Sequence, residues 1–182
     1  MRFLSASGLV LLAIVATACG ATDAGVEHRT AQAGEFGFTA TPGWHTSSTG
    51  LKAEAPQVPS VIASTIPIED PPGALPTETL KRLPANGIVI LVAAYTPWEG
   101  MNQFPQRVLP PQLGDAGVRE DWDGQPNTDA PEYLIQSTTN GFYLEVRVFF
   151  GTQRPSDEQA SRAQTELAEL RLPPGPPAGG SP

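Results

Sequence analysis

A single cysteine in 182 residues leaves no internal disulfide and no thiolate metal cluster. Lysine is nearly missing: two stand beside nine arginines, and the 11 cationic side chains face 19 acidic ones, for a net charge of −8. Nucleic-acid backbones need clustered Lys and Arg, so that partner class is excluded. Histidine occurs twice. There is no Gly-x-Ser-x-Gly elbow, no Gly-x-Gly-x-x-Gly and no Walker motif, so nucleotide binding and elbow-type serine catalysis have no support. No apolar run approaches the roughly 20 residues of a spanning helix.

What is abundant is proline and glycine, 20 and 18 residues, in a chain that is 40% hydrophobic. The length suits one domain, or two very small ones. Its first stretch is the most distinctive. Arg2 precedes an apolar run from Leu9 to Val15, which shades into Ala16-Thr17-Ala18 and meets Cys19. This charged, apolar, small-residue order is that of an export signal. A buried N-terminal core helix is the competing structural reading, but the run has no polar face to turn to water.

Ala16-Thr17-Ala18-Cys19-Gly20 resembles the lipobox of bacterial lipoproteins, departing at Ala16, where Leu or Val is commoner. The resemblance implies a diacylglycerol on the Cys19 thiol and cleavage before it, with residues 1–18 as signal peptide. Acyl chains on Cys19 would then hold the protein at the outer face of the cell membrane. Two or more chains anchor stably where one is marginal. Ordinary cleavage nearby is the alternative.

Residues 19–34 contain Val26 as their one large aliphatic, too little to offset ordering, and read as a flexible tether. Residues 173–182 are a Pro/Gly-rich tail unsuited to helix or ladder. The span 35–172 remains as one folded domain.

Within it, Asn140-Gly141 is a strong hairpin signal between two alternating runs, Glu132–Thr139 and Phe142–Phe150. A two-residue loop pairs Thr139 with Phe142, Ser137 with Leu144, Ile135 with Val146 and Tyr133 with Val148. Phe142, Leu144, Val146, Val148 and Phe150 then share a face with Tyr133 and Ile135. Downstream, Ser156 with Gln159 forms a capping box, and Ala160, Ala163, Leu167 and Leu170 fall on one helical stripe that should pack on that face. Strands are also predicted over Glu35–Ala40, Ser60–Ile68, Gly87–Tyr95 and Val118–Trp122, with a short helix over Thr77–Leu83. The fold class is α+β: a mainly antiparallel sheet packed against a C-terminal helix and a second short helix.

Phe36-Gly37-Phe38 through Pro42-Gly43-Trp44, with a closing segment Leu170-Arg171-Leu172, resembles the two ends of PsbP-like domains, some of them in actinobacterial lipoproteins. The resemblance implies an antiparallel sheet flanked by helices in proteins that act as binding or assembly factors.

The chemistry-bearing residues are few. His28 lies in the tether, so His45, beside Ser47 and Ser48, is the one imidazole that a fold could position. The competing role is that of a polar residue flanking the turn after Trp44. Asp121, Asp123, Asp129 and Glu132 partly match a calcium loop, but Pro126 stands where an EF-hand needs glycine. A solvated acidic turn is the rival reading. Trp44, Trp98 and Phe104 stand in Pro/Gly-rich surroundings and are candidates, with His45, for contact to a ligand or partner, or else for lidding the core. No cofactor is expected. These residues favour an anchored, non-enzymatic binding or accessory module for an envelope protein or small ligand. The alternatives are a surface-anchored hydrolase using carboxylates, with or without His45, and a calcium-dependent module.

Overall fold

The computed structural model describes residues 36–39, 41–49, 59–95, 104–119 and 131–174. Within them the chain is α+β, with eight strands and two α-helices. The centre is the hairpin. Strand β6, Glu132–Thr139, and strand β7, Phe142–Phe150, pair antiparallel with Thr139 opposite Phe142 and Ile135 opposite Val146. Asn140 and Gly141 both have positive φ, 49° and 78°, the conformation a two-residue turn needs to follow the strand twist.

The hairpin lies in a six-stranded antiparallel sheet. Its other members are β2 (His45–Ser48), β3 (Ser60–Ser64), β4 (Ile88–Tyr95) and β5 (Gly117–Arg119), in the order β2-β3-β4-β7-β6-β5. Strand β4 is central, which explains its unbroken aliphatic run: Ile88 to Val92 are all buried. The registers join Val61, Val92, Val146 and Ile135 into one row across four strands. The next row, Ile62, Leu91, Arg147 and Leu134, points to the other face.

The first face carries the larger core. Ala163 and Leu167 of α2 (Asp157–Leu167) pack there with Ile90, Leu144, Val146, Val148 and Phe150. Burying each large aliphatic contributes about 1.5–3 kcal/mol. Helix α2 starts where the capping box places it: Gln159 N–H donates to Ser156 Oγ, and Ser156 N–H donates to Gln159 Oε1. The second face is closed over Ile62, Val89, Leu91 and Phe149 by Leu80 of α1 (Thr77–Lys81). Between them the helices make a three-layer arrangement.

Two elements differ from the sequence expectation. Leu170 does not extend the helical stripe. The helix stops at Leu167, and Leu170–Arg171 form β8, antiparallel to β1, Gly37–Phe38. Leu170 is buried all the same, because three residues past Leu167 a strand residue and a helix residue reach the same core. His45 flanks the turn, as the sequence reading has it, but it also begins an edge strand that reading did not include, β2, with His45 opposite Ser64. The Thr41–Trp44 turn itself is present: Gly43 has φ 87° and Trp44 N–H donates to Thr41 O at 3.1 Å. Strand β1 is short, but Phe38 within it and Phe36 just before it are both buried.

Candidate functional site

Two places gather functional groups. The first is the half of the α1-side face that belongs to β6 and β7. Alternation puts Glu132, Leu134 and Gln136 of β6 beside Tyr143, Glu145 and Arg147 of β7. Arg147 sits between two carboxylates. Its Nε–H donates to Glu145 Oε1 at 2.6 Å, and Nη2 reaches the same oxygen. Glu132 Oε1 lies 3.3 Å from Arg147 Nε, and Arg119 of β5 comes within 3.7 Å of Oε2. Glu132 is fully buried, yet neither carboxylate oxygen has a hydrogen-bond partner among the described residues. Burial raises its pKa, partly offset by Arg147 and Arg119, with Glu145 pushing it further up. Tyr95, opposite Tyr143 in the ladder, has its phenol pKa raised by burial and by Glu145, against Arg147. Phe104 meets Tyr143 edge to face, ring centroids 5.6 Å apart.

The second place is the segment running from Phe104 to Arg119. One end is fixed to the sheet edge: Thr138 N–H donates to Pro105 O, and Arg107 N–H to Thr138 O. The middle is fixed to α2, where Gln164 accepts from Leu113 N–H at 2.8 Å and donates to Pro111 O at 3.1 Å. Leu109, Leu113 and Ala116 pack on the core. The arch lines an open surface cavity of about 670 Å³, whose walls include Arg107, Val108, Leu109, Pro110, Gln112 and Asp115. That volume is in the range of small-molecule sites. Arg107 and Asp115 form an ion pair on its wall, while Val108 stands 84% exposed beside it.

The sequence candidates are not brought together. His45 is exposed on edge strand β2, and Trp44 is half-buried against the larger core, as a lid would be. Phe104 lies against β7, three strands away, about 14 Å at ordinary strand spacing. Glu132 is held by guanidinium groups rather than by other acids. Cys19, Trp98, Asp121, Asp123 and Asp129 lie outside the described residues. Among the described residues no three His, Cys, Asp or Glu side chains are grouped to hold a metal ion, and no helix is long and apolar enough to cross a membrane.

Sequence reasoning missed Arg147 and the arch. Arg147 was visible only as a polar residue in the alternation, and its partner Glu132 is fifteen positions away. The arch carries no motif; its one signal is the Pro/Gly-rich composition around Phe104. No family model, no curated protein and no solved structure matches the chain.

Proposed function

We propose that this chain is a lipoprotein anchored through Cys19 at the outer face of the cell membrane, whose α+β domain is a non-enzymatic binding or accessory module. The sequence Ala16-Thr17-Ala18-Cys19 after an apolar run supports the anchor. The observation that carries the binding role is the pre-formed arch cavity, pinned to β6 at one end and to α2 in the middle. A site held from two sides needs little reordering on binding, which conserves affinity. Its aliphatic wall suits an apolar group, and Arg107 with Asp115 suits a polar group that both accepts and donates, such as an amide. An antiparallel sheet with a helix on each face is also the architecture that the resemblance to PsbP-like domains implies.

The test is site-specific photocrosslinking of the full chain in an actinobacterial host. A crosslinker at Val108 is expected to give one defined adduct in the membrane fraction, reduced by Arg107→Ala; a crosslinker at His45 is expected to give none. Equal adducts from both positions, or an adduct indifferent to Arg107, would contradict binding at the arch.

A further inference from the structure

We propose that Glu166 and Thr41 form a proton-sensitive latch that ties the chain's N-terminal strap, β1 and the turn after it, to helix α2.

Glu166 lies in the last turn of α2 and is fully buried. Its oxygens are unequal. Oε2 accepts from Thr41 Oγ1 at 2.7 Å and, more weakly, from Thr41 N–H at 3.4 Å. Oε1 is buried and has no hydrogen-bond partner among the described residues. Among the described residues Thr41 alone hydrogen-bonds this buried carboxyl, and it reaches one oxygen of the two. A carboxylate there would carry unsolvated charge on Oε1, which is costly in a buried site. Burial accordingly raises the Glu166 pKa, opposed by both hydrogen bonds from Thr41 and assisted by Glu169.

The contact adds a titratable tie to a strap that is otherwise held by apolar burial and a short ladder. Strand β1 has two residues, which among the described residues pair with the two residues of β8. Polar ties among the described residues also run from Thr39 N–H to Glu169 O at 3.2 Å and from Ser48 Oγ–H to Phe36 O at 3.2 Å. Apolar burial of Phe36 and Phe38 supplies the rest. When the strap lifts, Glu166 meets water and its pKa returns to the ordinary range. The lifted state therefore releases a proton, and closure takes one up. By linkage the strap is held most tightly at acid pH and loosens as pH rises through the raised pKa of the closed state.

The charged neighbours do not reverse that sign. On its own helix Arg162 stands one turn earlier and is exposed, and Glu169 follows just past the helix end. Arg171 of β8 is paired with Glu169, and donates to Ala168 O. Neither the Thr41–Trp44 turn nor Gly37–Phe38 contains an ionisable side chain. The latch is independent of whether Cys19 carries lipid.

Residue-resolved hydrogen exchange of the full mature protein in detergent micelles, from mild acid to neutral pH, tests it. After correction for intrinsic rates, the Thr39 and Thr41 amides are expected to lose protection as pH rises, while Ile90 in the central strand does not change in step. Glu166→Gln, which cannot ionise, is expected to flatten that dependence. Thr41→Val removes the hydroxyl that favours the ionised form and is expected to move the midpoint upward. A wild-type strap with pH-independent protection, or the same dependence in Glu166→Gln, would overturn the proposal.

Discussion

Arg147 and Glu132 meet across the β6–β7 ladder without being direct partners: Arg147 is opposite Leu134 and Glu132 opposite Phe149, and the diagonal brings Nε within 3.3 Å of Oε1. Because Glu132 is fully buried, the guanidinium is its main compensation. Arg147→Met is expected to cost about 3–5 kcal/mol, the usual penalty for stranding a buried charge. Replacing both residues, Glu132→Leu with Arg147→Met, is expected to recover most of that loss. Urea unfolding of the two variants measures it; a double variant no better than the single one would show that the pair contributes more than mutual neutralisation.

The hairpin turn gives a local prediction. Gly141 has φ 78°, a region that penalises a Cβ. Gly141→Ala is expected to destabilise by about 1–2 kcal/mol, whereas Asn140→Gly should leave stability nearly unchanged. Thermal melts of both variants decide it.

Close approach matters at the end of β7. Gly151 N–H donates to Gly87 O at 3.1 Å, and a Cβ built on Gly151 would overlap the carbonyl of Pro84. That carbonyl belongs to a backbone turn also held by Gln159 Nε2, which donates to Ala85 O at 3.0 Å. Gly151→Ala is expected to cost about 1–3 kcal/mol. Gly114→Ala, where a Cβ meets nothing within 4 Å, is the control, expected within about 0.5 kcal/mol of wild type.

Helix α1 has a remote cap. The Asp70 carboxylate accepts from Glu78 N–H and Thr79 N–H, both at 2.9 Å, and from Thr79 Oγ1 at 2.6 Å. Burial alone would raise its pKa, but these hydrogen bonds outweigh it and the value is lowered. A lowered folded pKa means stability that is present above the ordinary carboxylate range and lost as pH falls through the Asp70 value. Asp70→Asn is expected to cost about 1–3 kcal/mol at neutral pH and to shrink the acid-side loss. Denaturation curves at neutral and strongly acid pH measure both.

Legibility followed the range of the interactions. The β6–β7 register was readable because turn chemistry at Asn140-Gly141 and side-chain alternation report the same pairing. The α2 start was readable because Ser156 and Gln159 are three residues apart. Strand β2 was not, since His45-Thr46-Ser47-Ser48 has no apolar alternation and becomes a strand only by pairing with β3. Leu170 was misplaced because helical spacing cannot show where a helix stops. The ties that shape the candidate sites join distant positions: Glu132 with Arg147, Thr41 with Glu166, and Gln164 with Leu113. No local pattern encodes such contacts; packing creates them.

The central claim, a domain tied to the membrane through Cys19, is tested most directly by the mass of the mature N-terminal peptide from protein purified out of its host's membrane. Expected is a peptide beginning at Cys19 and carrying two or three acyl chains, with Cys19→Ala shifting the protein to the soluble fraction. An unacylated N-terminus, or a mature chain beginning elsewhere, would contradict the anchor and leave the arch cavity to a freely secreted protein.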